Sequence, residues 1–302
     1  MKFGVVPLFD VRDLMNSIVF LGKVDFSRFH YPTFIKKAYE MGFYHIEITS
    51  DLIYVIPGSI NEKIINELMS LKDELGLSYS IHLPVWSVEL ASPNRHIRKA
   101  SIETILECIK VFEPLQPITY VLHATGALAS EFARLDAPGP YQLLINRYMQ
   151  SFAAMSLEEI ITRSEINPRL LALENVEFPF DLTRELVDRF NTSICYDTGH
   201  LLSGQSGKYD PIEFLRDNID RIVEIHFHDG FHRIVNGNIS RGDHLALGEG
   251  DLPYCEFLKV LIDLNYNGVI VFELNRQSIQ RSLDNIKHCP GNLLDYVKFQ
   301  KA

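Results

Sequence analysis

Eleven histidines occur among the 302 residues, and several sit where chemistry would need them. His82, His123 and His226 each close a short apolar or β-branched run, and His228 follows just beyond the last. Glu174, Asp197 and Glu273 end further runs of the same kind, with His200 three residues after Asp197 and the pair Asp243–His244 in a long segment after His226. Carboxylate oxygen and neutral imidazole nitrogen are the donors that zinc, manganese and iron accept. Packed together without a cation, the three carboxylates would raise one another's pKa and be costly to keep charged. Taken singly, a His or Glu at a strand end is more often a hydrogen-bonded wall residue than a ligand. Six consecutive runs each ending in a donor change that balance. The pattern predicts a divalent-metal site.

The elements that must position these residues alternate from end to end. Short runs fall at 3–9, 43–48, 77–83, 118–123, 170–176, 192–197, 221–227 and 268–274. Between them lie segments of helical period, including 60–75, 98–112, 141–163, 180–190, 211–218, 252–264 and 277–287. In the first of these, Ile60, Ile64, Leu68 and Leu71 share one face at spacings of three and four. Gly42 and Gly76 stand where a helix would stop before the next strand. Strands separated by helices are parallel, and eight such units in about this length predict an α/β fold, a (β/α)8 TIM barrel. A doubly wound open sheet is the rival, but no GxGxxG or GxxxxGK[ST] follows the first strand. No composition break divides the chain, so one domain over 1–302 is expected. In a parallel barrel the strand C-termini converge on one mouth, which would gather the histidines and carboxylates in a ring. Two long mouth loops, 124–140 and 228–251, are expected beside it.

Composition narrows the partners. Lys and Arg number 29 against 39 Asp and Glu, a net charge of −10, so a nucleic acid gripped through its phosphates is not expected. No run approaches the ~20 apolar residues of a membrane span, and the N-terminus lacks a signal-peptide pattern. Cys108, Cys195, Cys255 and Cys289 are scattered without a CxxC pair and are expected to be reduced thiols of a cytoplasmic protein. Cys195 should share the face of Asp197 as a buried spectator. His30, His45, His96 and His288 fall outside the ring, and the GEG at 248–250 is expected to shape a turn. The sequence leaves the oligomeric state open.

The motifs ALENVE (172–177), CYDTGHLL (195–202), EIHFHDG (224–230), DHLALGEGDLPY (243–254) and VFEL (271–274), in this order, resemble the xylose isomerase-like TIM barrels. That group includes endonuclease IV and many sugar isomerases and epimerases. The resemblance implies a shared metal core of Glu174, Asp197, His226 and Glu273. It also implies that His82, His123, His200 and His244 match the further ligands of the endonuclease IV branch. Here Gly242 precedes an adjacent Asp243–His244, a departure that favours two metals over three. SYSIHLPVWSVELASP (78–93), PLQPITYVLH (114–123) and ENVEFPF (174–180) are similar to the cobamide-remodelling phosphodiesterases of the same superfamily.

Two functions are expected from this. The first is hydrolysis of a small-molecule phosphodiester by one to three zinc or manganese ions. Glu174 would bridge two of them, with His82 and His123 completing one ion and Asp197, His226 and Glu273 the other. His200 and His244, with Asp243, would serve a third ion or orient the substrate, and Arg233 or Arg241 would meet its phosphate. The alternative is a single-metal sugar or polyol isomerase or epimerase with Glu174 and Glu273 as acid and base. Glu174, Glu273 and His200 are thus the expected catalytic groups, and His228, Arg233, Arg241 and His244 the expected contacts to a phosphorylated or sugar-like substrate. A barrel that binds without turnover is the third possibility.

Overall fold

The computed structural model describes residues 1–8, 11–135, 137–235 and 237–296. Eight strands alternate with helices: β1 (Lys2–Val5), β2 (His45–Thr49), β3 (Ser78–His82), β4 (Tyr120–Leu122), β5 (Leu171–Glu174), β6 (Ser193–Asp197), β7 (Ile222–His226) and β8 (Val269–Phe272). Neighbouring strands are parallel in the order β1–β8–β7–β6–β5–β4–β3–β2, and β1 pairs back onto β2. The sheet closes. This is the expected (β/α)8 barrel, with each strand within a few residues of its run.

Strand side chains alternate between two faces, and the two faces here are chemically different. Ile46 and Ile48, Tyr79 and Ile81, Leu171 and Leu173, Ile194 and Tyr196, and Ile270 and Phe272 all join one buried apolar core with the helices. The intervening positions face the bore. Val6, Val269 and Val271 pack as one small cluster there, and Val121, Ala172 and Cys195 as another. Many further bore positions are polar: His45, Glu47, Ser80, His82, Glu174, Asp197, Glu224 and His226, all buried.

Helix formation follows local rules. In Glu62–Leu75, Ile64, Ile65, Leu68 and Leu71 are buried; Asn61 caps its start by accepting the Ile64 N–H at 3.1 Å, and Gly76 ends it at φ 68°. Only glycine enters that left-handed region freely.

The two expected mouth loops are more ordered than loops. Residues 124–140 contain a helix at Ala127–Ala133. Residues 228–251 form a β-hairpin, Asp229–Val235 against Asn238–Leu245. Val235 pairs with Asn238, and Gly237 has φ 78°. Within the expected spans, residues 9, 10, 136, 236 and 297–302 lie outside the described residues.

One expectation about cysteine is corrected. Cys255, in the helix Tyr254–Asp263, forms a disulfide with Cys289, just past the helix Arg276–Lys287, with Cα atoms 5.5 Å apart. The two cysteines are 34 residues apart in sequence, and linear spacing does not reveal that the fold brings them together. It also removes the ground for expecting a reducing compartment. Cys108 and Cys195 are free and buried. Among the described residues no helix is long and apolar enough to cross a membrane.

Closing a loop of this size stabilises a fold by about 2–4 kcal/mol. Cys255→Ser should therefore lower the urea-unfolding free energy by about that amount relative to the oxidised protein. A midpoint equal to that of the oxidised wild type would show that the cross-link contributes nothing.

Candidate metal centre

The parallel register brings the strand ends level. His82 stands opposite Thr49 and Val121, and His226 opposite Asp197 and Val271. His123 lies one residue beyond β4 and Glu273 one beyond β8. The six staves β3 to β8 thus deliver His82, His123, Glu174, Asp197, His226 and Glu273 to one buried cluster.

Glu174 is its centre. Its Oε2 accepts hydrogen bonds from His123 Nε2 at 3.0 Å, with His82 Nε2 at 3.4 Å, while its Oε1 accepts from His200 Nδ1 at 2.9 Å. His226 Nδ1 is buried and has no hydrogen-bond partner. It stands 3.6 Å from Glu174 Oε1, 3.6 Å from Asp197 Oδ2 and 3.4 Å from Glu273 Oε2. Four donors bound tetrahedrally at about 2.1 Å would be about 3.4 Å apart. An orphaned imidazole nitrogen near that spacing fits a divalent ion held by Glu174, Asp197 and His226, whose donor atoms lie within 4.8 Å of one another, while Glu273 groups with His226 and Glu47. The donor atoms of His82, His123 and Glu174 form a second group, all within 4.8 Å of one another. Glu174 therefore presents one oxygen to each group.

A third group joins His200, Asp243 and His244. Asp243 Oδ1 lies 3.0 Å from His244 Nδ1, and His244 Nε2 lies 3.5 Å from Glu273 Oε2. His200 donates its backbone N–H to Asp197 Oδ1 at 2.6 Å. His228 is placed differently from a substrate contact. It is fully buried, its Nδ1 accepts the His244 N–H at 3.0 Å, and its Nε2 donates to Asp197 Oδ2 at 2.8 Å. Its ring stacks on His244 with centroids 4.2 Å apart. Both nitrogens are committed, so His228 orients the Asp197 carboxylate. Gly199 makes room for it: a Cβ there would lie 2.1 Å from His228 Nδ1.

The two arginines are not brought to the cluster. Arg233 lies on the hairpin, its guanidinium paired with Asp251 at 2.6 Å and resting over the Phe231 ring. Arg241 is an exposed hairpin residue paired in register with His232. The hairpin carries both outward on strands that a loop reading does not anticipate. The GEG segment does shape a turn, pinned by Asp229, whose carboxylate accepts the N–H groups of Gly230, Gly248 and Leu252.

Charge in the cluster is balanced by protons on imidazole. Burial pushes His82 down, but its hydrogen bond to Glu174 and the charges of Glu47, Glu174 and Glu273 bring it up to about 10. His200 rises to about 9 and His244 to about 10, in each case against burial, through Asp197 and Glu174 and through Asp243 and Glu273 respectively. Burial alone would raise the carboxylates. The histidines instead hold Glu174 and Asp197 well below the ordinary range and Glu273 at about 2. A divalent ion would replace these protons.

Sequence reasoning passed over a second layer beneath the cluster. Glu47, buried in β2, has Oε2 3.3 Å from His226 Nε2. With a cation bound, that contact would hold the ring proton on Nε2 and leave Nδ1 to face the three carboxylates. Deeper in the bore, Ser80 donates to Glu224 Oε1 at 2.7 Å and lies 3.0 Å from His45 Nε2. His45, expected to fall outside the ring, is part of this layer. The available signal was parity: HIEI and SYSIH put a polar side chain at every second position of strands whose other residues are apolar.

Comparison with known proteins adds four findings. The sequence pattern of the xylose isomerase-like TIM barrels matches residues 35–289. An inosose dehydratase of Geobacillus kaustophilus is 32% identical over 103 residues, 31% of this chain and 32% of that protein. Among solved structures, a D-tagatose 3-epimerase-like protein superposes with a TM-score of 0.66 at 22% identity, covering 95% of this chain and 98% of its own. Endonuclease IV of Thermus thermophilus superposes at 0.63 with 15% identity, covering 98% and 100%.

Two outcomes follow from the geometry. Glu47→Leu should weaken zinc or manganese binding about 10–100-fold, whereas Glu47→Gln, which keeps an acceptor oxygen, should stay near wild type. Competition with a chelator reads this, and equal affinities in all three proteins would remove Glu47 from the centre. The second outcome concerns pH. Raised histidine pKa values stabilise the metal-free fold fully below the ordinary value of 6.5, and that stability is lost as pH climbs through about 9 to 10. Metal uptake at neutral pH must then release protons, seen as buffer-dependent binding heats in calorimetry. Heats independent of the buffer would contradict the charge assignment.

Proposed function

The chain belongs to the xylose isomerase-like TIM barrel family, and on that premise we propose that it is a metal-dependent isomerase or epimerase of a small sugar-like or cyclitol substrate. The observation that carries this reading is the set Glu174, Asp197 and Glu273 around His226 Nδ1 at 3.4–3.6 Å. Similarity to a D-tagatose 3-epimerase-like fold and, over a shorter stretch, to an inosose dehydratase supports it. A phosphodiester hydrolase of the cobamide-remodelling kind draws less support, because the arginines expected to meet its phosphate lie out on the hairpin.

An ion bound there would polarise a substrate carbonyl and acidify the neighbouring C–H. The protein supplies the bases. Glu174 ends β5 and Glu273 follows β8, with β6 and β7 between them around the barrel. Both carboxyls are ionised at neutral pH. One carboxylate removes the proton from carbon; the other delivers a proton to the opposite face, as inversion requires, after taking it from a neighbouring imidazolium such as His244, whose Nε2 lies 3.5 Å from Glu273 Oε2. Asp197, held by His228 and by the His200 N–H, stays oriented while they act.

A second reading keeps one specific observation in its favour. His82 and His123 meet Glu174 Oε2 as a separate donor group, and two ions are what phosphoester hydrolysis uses. The zinc- or manganese-loaded protein, incubated in D2O with ketohexoses and cyclitol ketones, should incorporate deuterium at the carbon beside the carbonyl. Glu273→Gln should slow that exchange about 10²–10⁴-fold with the fold intact. Absence of exchange together with turnover of a simple phosphodiester would replace this function with the hydrolytic one.

A further inference from the structure

A cavity of about 450 Å³ opens beside His123, between the segments that follow β3, β4 and β5. Its walls include Val85, Trp86 and Ser87 from the first segment, Gly126 from the second and Glu177 from the third. Trp86 is 60% exposed, unusual for an indole on a fixed loop. The loop is fixed because Asp51 accepts the N–H groups of Val85 and Trp86, each at 3.1 Å. Glu89 further ties it to the next wall by accepting the Leu128 N–H at 3.1 Å. Two wall residues other than glycine, Ser87 (φ 65°) and Glu177 (φ 59°), hold left-handed backbone. Such strain persists where the surrounding structure enforces it, and it clusters at ligand sites. No lysine or arginine is among the described residues lining the cavity.

We infer that this cavity is the subsite for the part of the substrate remote from the reacting carbon, and that it selects a neutral polyhydroxylated ligand over its phosphorylated counterpart. The inference rests on the isomerase or epimerase reading. The indole face of Trp86 offers an apolar platform for the C–H face of a sugar or cyclitol ring, and the area covered leaves water. Glu177 accepts hydrogen bonds from ligand hydroxyls. A phosphate in the same place would face the Glu177 carboxylate with no lysine or arginine on the described lining to offset it, which disfavours it. Pinning the loop before binding avoids an ordering cost when the ligand arrives.

Trp86 is the single tryptophan of the chain, so its fluorescence reads the subsite directly. The metal-loaded protein is titrated with ketohexoses, myo-inositol and their monophosphates, following emission and calorimetric heat in parallel. At least one neutral compound should bind and shift the emission. Trp86→Ala should then raise KM for that compound at least tenfold with kcat changed less than threefold and the melting temperature unchanged, and Trp86→Phe should recover part of the loss. Glu177→Lys should turn the preference toward the monophosphate. Binding that leaves the emission and the Trp86→Ala KM unchanged overturns the subsite while the isomerase reading stands. Tighter binding of a monophosphate by the wild type overturns the neutral selectivity. Failure of every compound to bind overturns the isomerase reading and the subsite with it.

Discussion

Glu174, Asp197 and Glu273 share one small water-poor volume at the barrel mouth, and their mutual repulsion is the constraint the rest of the structure answers. Burial in low dielectric raises the cost of each charge. The fold meets that cost with imidazoles from four directions: His82 and His123 on one side of Glu174, His200 and His226 on the other. Protons on His82, His200 and His226, or divalent cations in their place, keep the carboxylates charged. The centre is consequently a device for holding positive charge, and its chemistry follows from which form that charge takes.

Precision in such a centre comes from what lies behind it. His226 is held between Glu47 below and the three carboxylates above, and Asp197 is gripped by His228 and by a backbone N–H. The hairpin Asp229–Leu245 delivers His244 and stacks it on His228. Close packing at its base explains why the TGH segment contains glycine: the His228 ring occupies the space a side chain at 199 would need. The barrel thereby couples an outer element, the hairpin, to the orientation of a single inner carboxylate. The same economy shapes the neighbouring cavity, where Asp51 and Glu89 use backbone N–H groups to fix a loop that then displays Trp86.

Much of this was legible in the linear sequence. Apolar runs at regular intervals with helical periodicity between them determine a closed parallel barrel, because period-2 and period-3.6 patterns are local and each must bury its own apolar face. Closure then places strand C-termini on one rim, so His82, His123, Glu174, Asp197, His226 and Glu273 could be named from position alone. Glu47 and Glu224 were visible only as charges in the middle of buried strands, a sign that the bore itself is polar.

What only the tertiary structure decided depends on contacts between segments far apart in sequence. Which histidine nitrogen meets which carboxylate is set by rotamers and by register between staves, and no spacing rule contains them. His228 reads as a substrate contact until its two nitrogens are seen committed to Asp197 and the His244 N–H. Arg233 reads as a phosphate ligand until the hairpin pairs it with Asp251. Cys255 and Cys289 read as separate thiols until two helices pack. Local patterns are written residue by residue and survive in one dimension; the direction in which a side chain points, and what it meets there, exists only once the cylinder has closed.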